Sequence, residues 1–403
     1  MKLLSRKTTF IVSACSLSFV LGGFITQNAG EEKLTVAIVQ SAQKLLGLQF
    51  STAEADSMLS GLESQKQDYA ELRKLRIANS ISPALQFNPI PVGYQFPDQV
   101  NSFKVAPVKV MLPANRDDLA FYTVRELAEL LKTGQITSVE LTRFFISRLR
   151  QYNETLLNVV SFTEERALKQ AAAADAEIKA GKYRGLLHGI PYGVKDLLAV
   201  KGTRTTWGSV PYKDQVVDTD AAVVQQLDNE GAVLIAKMTL GELAMGDVWF
   251  GGKTRNPWNV QRGSSGSSAG SASAVAAGCL PFAVGSETLG SIVSPSTECG
   301  TTGLRPTFGR ISKHGAMALS WSMDKLGPIT RSVEDLAIVF NAVHGADGKD
   351  LSVVAAPFAY SSPSGRTSLK GFRIGYLKAD FDRRYANKAS DSLTLVKLRE
   401  LGA

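Results

Sequence analysis

Three cysteines and three histidines among 403 residues leave little material for several kinds of chemistry. Cys15, Cys279 and Cys299 are too few for a disulfide framework, and no Cys-x-x-Cys or Cys/His spacing suggests zinc, so neither staples nor a metal are expected. Each of His188, His314 and His344 reads as structural. Lys and Arg exceed Asp and Glu by 45 − 37 = +8, yet there is no block of five or more like charges and no basic run interleaved with aromatics. That pattern argues against a nucleic-acid partner. No internal repeat is present. What the chain does have is apolar material, 44% of its residues, enough for a large core in two or three units.

The two ends carry information of their own. Lys2, Arg6 and Lys7 precede a charge-free segment from Thr8 to Gly30, apolar from Phe10 to Ile25, which is the n-region and h-region of an export signal. Residues 1–30 are therefore expected to be a signal peptide or a retained membrane anchor, and the protein exported (periplasmic or extracellular) or membrane-anchored. Val12-Ser13-Ala14-Cys15 imitates a lipoprotein box, but the longer apolar stretch follows Cys15, which ranks lipidation below cleavage or anchoring. At the other end Phe372–Tyr376 reads as a strand, Ser390–Leu401 as a helix and Gly402 as its C-cap, leading into a strand that does not follow. The chain is expected to stop short of a full domain.

Between these ends the pattern is helical, then irregular, then alternating. Helical periodicity over 34–46 and 52–77, the second opened by Ser51 with Glu54 three residues on, predicts a helical extension over 31–80. Six prolines (Pro83, Pro89, Pro91, Pro97, Pro107 and Pro113) make 81–115 an extended linker. From 116 to 403 the reading is one domain. Thr123 with Glu126 and Thr137 with Glu140 start helices, and an Ala-rich helix runs from Glu164 to Ala180. Apolar runs at Gly189–Val194, Ala232–Ala236 and Leu280–Val284 then alternate with helical stretches, the signature of an α/β fold.

Three segments of that domain invite chemistry. Gly263 to Ser273 is almost wholly Gly and Ser, which elsewhere marks a linker, but here it enters a small-residue helix and a buried strand, so it is embedded in the core. Its N–H groups and hydroxyls suit a carbonyl or an anion. The turn Gly285–Ile292 follows the buried strand, and Gly290 lets its backbone aim N–H groups at one point, as an oxyanion hole requires. In His188–Asp196 a short apolar strand delivers Lys195 inward. A lysine there is usually a snorkelling surface residue, but burial would lower its pKa and leave an amine able to act as a base toward a serine.

At these places the chain resembles the amidase signature family. The text that carries the resemblance is GIPYGVKD (189–196), TRNPWN (254–259), SGSSAGSASAVAAG (265–278), GSETLGSIVSP (285–295), CGTTGLRPTFGR (299–310) and MDKLGPITRSVED (323–335), in the family's order from Tyr122 onward. The resemblance implies a mixed β-sheet flanked by helices and an amidase that works without a cofactor on a small-molecule amide. Ser291 would be the nucleophile, Lys195 the general base, and Ser267, 24 residues before Ser291, the relay serine after a cis peptide bond. The backbone N–H groups of Thr288, Leu289, Gly290 and Ser291 would form the oxyanion hole. Three departures stand out: Leu289 where a glycine is usual, Val293 where an arginine is common, which weighs against carboxylate-bearing substrates, and Glu298 before Cys299.

Other readings are weaker. Ser268 sits in a G-x-S-x-G pattern, but no buried strand precedes it and the partners of a classical triad are missing. Ser322 and Lys325 form S-x-x-K, with Lys132-Thr-Gly134 in reversed order and no Ser-Asp-Asn. Lys253 hints at a P-loop, but Asp247 stands where that loop needs glycine. Cys279 and Cys299 read as packed hydrophobes. Within the resemblance, the glutaminase (A) subunit of a glutamyl-tRNA amidotransferase is the alternative, opposed by the export segment. A catalytically inactive binding protein on the same fold is opposed by the presence of Lys195, Ser267 and Ser291.

Overall fold

The computed structural model describes residues 33–78, 81, 83–96, 101–362, 368–385 and 388–403. The export segment expected at 1–30 lies outside the described residues. The chain divides into two compact units, Met1–Ala78 and Asn79–Ala403.

In the first unit two helices form, α1 (Val36–Leu46) and α2 (Thr52–Lys74). Thr35 caps α1 by accepting the Ile38 N–H, and α1 ends where Gly47 takes a φ of 66°, a conformation that costs glycine little. The Ser51/Glu54 box caps α2 as predicted. Val39 and Ala55 are its buried apolar residues.

The second unit is built on six strands: β1 (Val159–Phe162), β2 (Pro191–Lys195), β3 (Val233–Met238), β4 (Phe282–Glu287), β5 (Thr302–Gly303) and β6 (Lys325–Thr330). Their order across the sheet is β5-β6-β4-β2-β3-β1. The three central strands run parallel, and β1, β6 and β5 are antiparallel to their neighbours. The sheet is therefore mixed, as the resemblance implies. Every residue of β2, β3 and β4 is buried, which is why these runs read as continuously apolar and not as alternating. Parallel neighbours need crossovers, and here helices supply them: α6 (Ala222–Asn229) joins β2 to β3 and α7 (Ala269–Ala276) joins β3 to β4. Upstream lie α3 (Val124–Lys132), α4 (Ser138–Leu156) and α5 (Glu164–Lys179), the first two opened by the predicted capping boxes. Downstream are α8 (Val293–Cys299) and α9 (Val333–Val343).

The proline-rich stretch belongs to this larger unit. Within it Ser102–Lys104 pairs in parallel with Ala359–Ser361, and Phe87 meets Phe308 edge-on with ring centroids 5.4 Å apart. Phe372–Tyr376, predicted as a strand, is irregular instead. Alternating apolar residues become a strand only where a neighbouring strand takes their backbone hydrogen bonds, and this segment enters no sheet among the described residues.

Candidate active site

Lys195 is the last residue of β2 and is fully buried. The strand can lie this close to its neighbours because Gly193 has no side chain: a Cβ there would come within 2.7 Å of the Met238 sulfur and 2.8 Å of Leu280. Lys195 Nζ lies 2.7 Å from Ser267 Oγ, 2.9 Å from Ser286 Oγ, 3.2 Å from Ser268 Oγ and 3.2 Å from the Ser286 carbonyl. Burial drives its pKa from the ordinary 10.5 down to about 7, against the pull of the Asp324 and Glu287 carboxylates. An amine in that range is a base at neutral pH.

Ser267 reaches Lys195 from the Gly/Ser segment that leads into α7, and the Gly266–Ser267 peptide bond is cis. Gly266 is required there, since a Cβ would fall 1.9 Å from the Gly246 carbonyl oxygen. Ser268 points inward as well: it is fully buried, its hydroxyl donates to the Ser286 carbonyl at 3.0 Å and accepts the Ser286 N–H at 3.2 Å. A serine so occupied is not presented to a substrate.

Ser291 stands in the turn between β4 and α8, half-buried. The two serine segments are joined backbone to backbone, the Ser268 N–H donating to the Ser291 carbonyl at 3.0 Å. The structure thus brings Lys195 and Ser267 into direct contact and sets the Ser291 backbone beside them, while the Ser291 hydroxyl makes no hydrogen bond to a described residue. Hydrogen bonds of this kind commonly close only when substrate is bound.

The turn itself is held from below. Glu287, fully buried at its side chain, accepts the N–H groups of Ile292 (2.7 Å) and Val293 (2.9 Å) and meets Arg305 Nη1 at 3.3 Å. Burial works to raise its pKa, but the backbone N–H groups of Val293, Ile292 and Gly290 outweigh it and hold the carboxyl below the usual range. Among the described residues the N–H groups of Thr288, Leu289 and Ser291 donate to no acceptor, and that of Gly290 leans on Glu287. Gly290 has a φ of 84°, the left-handed conformation this turn needs. Leu289 is 76% exposed, so the side chain standing where the family has glycine faces outward.

Sequence reasoning missed several members of this site. Ser286, Glu287, Asp324 and Lys325 all lie inside the quoted motifs, yet nothing in their spacing says which side chain reaches which loop. Lys237 was missed entirely. It rises from β3 beside β2 and its Nζ meets Asp196 Oδ1 at 2.7 Å, both side chains fully buried. Thr206 binds the other carboxylate oxygen through its N–H (2.8 Å) and its hydroxyl. Cys279 and Cys299 are buried and burial pushes both thiols up to about 12, which suits packed hydrophobes and not nucleophiles.

The profile of the family described as Amidase matches residues 140–403, well over half of the chain. The chain belongs to the amidase family. It is 40% identical over 286 residues to the A subunit of the glutamyl-tRNA(Gln) amidotransferase of Coxiella burnetii, and 41% identical over 293 residues to that of Acinetobacter baumannii. These alignments take in 70% and 71% of this chain and 59% of each relative, so the chain spans about three-fifths of the length of the curated relatives it matches. Among solved structures it is similar to the native peptide amidase of Stenotrophomonas maltophilia, with a TM-score of 0.64 and 34% identity over 71% of this chain and 62% of that one. An amidase family protein of Bacillus anthracis gives a TM-score of 0.66 and 33% identity over 71% and 60%. The α/β fold read from the sequence is the fold of these amidases.

Proposed function

We propose that this member of the amidase family hydrolyses a small-molecule amide through an acyl-enzyme on Ser291. The observation that carries the reading is the fully buried Lys195, brought near neutrality by its surroundings and 2.7 Å from Ser267. A neutral amine has two hydrogens and one lone pair, so the Ser267 hydroxyl can give its proton to Lys195 while taking one from Ser291. Ser291 Oγ then bonds to the amide carbon, and the negative oxygen is met by the N–H groups of the 288–291 turn. Collapse breaks the C–N bond, and the relayed proton returns to the departing nitrogen. Water takes the same path: its proton goes to Lys195 through Ser267, its oxygen bonds to the acyl carbon, and Ser291 leaves and recovers a proton.

The test is covalent labelling with a fluorophosphonate, in which Ser291 Oγ bonds to phosphorus as fluoride leaves. Peptide mass spectrometry is expected to find the label on Ser291. Label on Ser268, or none at all, would end this reading. The pH dependence follows with a definite sign: below about pH 7 Lys195 is an ammonium and accepts nothing, above it the amine is free, so the labelling rate rises with pH through about 7. A rate that is flat from pH 5 to 9 would remove Lys195 from the role of base.

The apolar, charge-free segment from Thr8 to Gly30 behind Lys2, Arg6 and Lys7 supports a place outside the cytoplasm or at the membrane. The names of the curated relatives favour a second reading, a glutaminase subunit that passes ammonia to a partner. Release of ammonia from glutamine only in the presence of such a partner would establish it; turnover of simple amides by the chain alone decides for the first.

A further inference from the structure

The turn that would carry the oxyanion is gripped by two consecutive residues where the neighbouring strand begins, Asp324 just before β6 and Lys325 at its start. β6 pairs with β4 so that Lys325 lies opposite Glu287, and this register puts Asp324 and Lys325 beside Thr288. Asp324 accepts the Thr288 hydroxyl through one carboxylate oxygen. Its other oxygen accepts the N–H groups of Leu319 (2.7 Å) and Ser320 (3.0 Å) and so cannot turn away. Lys325 Nζ donates to the Thr288 carbonyl at 3.2 Å, and no other described residue does. Both polar ends of Thr288 are therefore held, by Asp324 and by the first residue of β6, while Glu287 holds Ile292 and Val293 on the far side of the turn.

The grip on the carbonyl has a consequence for the next residue. In a trans peptide the C=O of one residue and the N–H of the next lie in one plane and point opposite ways. Drawing the Thr288 carbonyl toward Lys325 turns the Leu289 N–H away from β6, and that N–H donates to nothing else among the described residues. We infer that Lys325 is a positioning residue of the oxyanion turn, fixing the Thr288–Leu289 peptide so that the Leu289 N–H faces the reacting centre at Ser291. The inference rests on the amidase mechanism proposed above. Lys325 touches no reacting atom in it: its work is to remove the freedom of one peptide plane whose own N–H is held by no described residue. An N–H aimed beforehand needs no reorientation as charge develops, which is where a preformed oxyanion hole gains its effect.

The experiment compares fluorophosphonate labelling of Ser291 in the full chain with Lys325 intact, Lys325→Met and Lys325→Arg, measured over a range of probe concentrations to separate the maximal rate from the half-saturating concentration. Loss of one oxyanion donor typically costs a factor of about 100 to 1,000, and a misaimed one costs less, so Lys325→Met is expected to lower the maximal rate by about tenfold to a hundredfold. The half-saturating concentration should stay within about twofold, and Lys325→Arg, which keeps a donor at that point, should recover most of the rate. A maximal rate for Lys325→Met within twofold of the intact chain would overturn the inference, as would equal losses in both variants or a loss confined to half-saturation. Should Lys325→Met not fold, as judged by circular dichroism, Lys325→Ala takes its place under the same criteria. Absence of label from Ser291 in the intact chain would instead overturn the amidase mechanism itself, so the two failures are distinguishable.

Discussion

Ser291→Ala is expected to abolish amide turnover and fluorophosphonate labelling, with a loss on the order of 10⁵ to 10⁶ in kcat, the scale seen when the nucleophile of a serine hydrolase is removed. Nothing nearby can substitute. Ser267 is bound to Lys195, and Ser268 is buried with its hydroxyl shared between Ser286 and Lys195. Lys195→Ala should fall almost as far, because Ser267 then loses the group that takes its proton, and the two changes together should cost little more than either alone. Ser268→Ala is the control. It removes one buried hydroxyl but no step of the proposed relay, so a loss of about fivefold to tenfold is expected, the worth of one to two hydrogen bonds. The measurement is steady-state hydrolysis of a series of simple amides by the three single variants and the double variant, with folding checked by circular dichroism. Full turnover in Ser291→Ala would remove the nucleophile, and with it the mechanism.

The largest effect on stability is expected at Lys237. Its ammonium and the Asp196 carboxylate are both fully buried, 2.7 Å apart, at the edge of the strand that bears Lys195. Burial lowers the pKa of Lys237 against the pull of the Asp196 carboxylate. Lys237→Met removes the cation and leaves a carboxylate in the core with Thr206 as its remaining hydrogen-bond partner. Breaking a buried pair from one side costs about 3–5 kcal/mol, more than most core substitutions. The double variant Asp196→Asn with Lys237→Met should recover more than half of that, since the asparagine can still accept from Thr206 and no charge is stranded. Urea unfolding of the two variants measures both quantities. A cost below about 1 kcal/mol for Lys237→Met would mean that water reaches the pair, against the burial seen here.

Much of the fold was legible because its cues are local. The Ser51, Thr123 and Thr137 capping boxes are short-range hydrogen-bond patterns written in three or four residues, and each opens the helix it predicts. The apolar runs of β2, β3 and β4 could be placed without a structure because a strand buried on both faces is apolar over most of its length. Phe372–Tyr376 failed for the complementary reason. A strand exists only with its neighbour, and no local pattern supplies one.

The same division runs through the candidate site. By itself the sequence determined the family and the α/β class, and it nominated Lys195, Ser267 and Ser291 as site residues, since these sit in long ordered motifs whose residue types and spacing are rarely met together. Only the tertiary structure decided how they are governed. The pKa of Lys195 falls because three serines and a carbonyl, and not solvent, surround its amine. The serine turn is shaped by Glu287 from within and by Asp324 and Lys325, at the start of a strand, from more than thirty residues away. Lys237 matters through a partner just past the end of the adjacent strand. Desolvation and charge pairing depend on what lies within a few ångströms in space, and sheet register, which spacing along the chain does not encode, decides which residues those are.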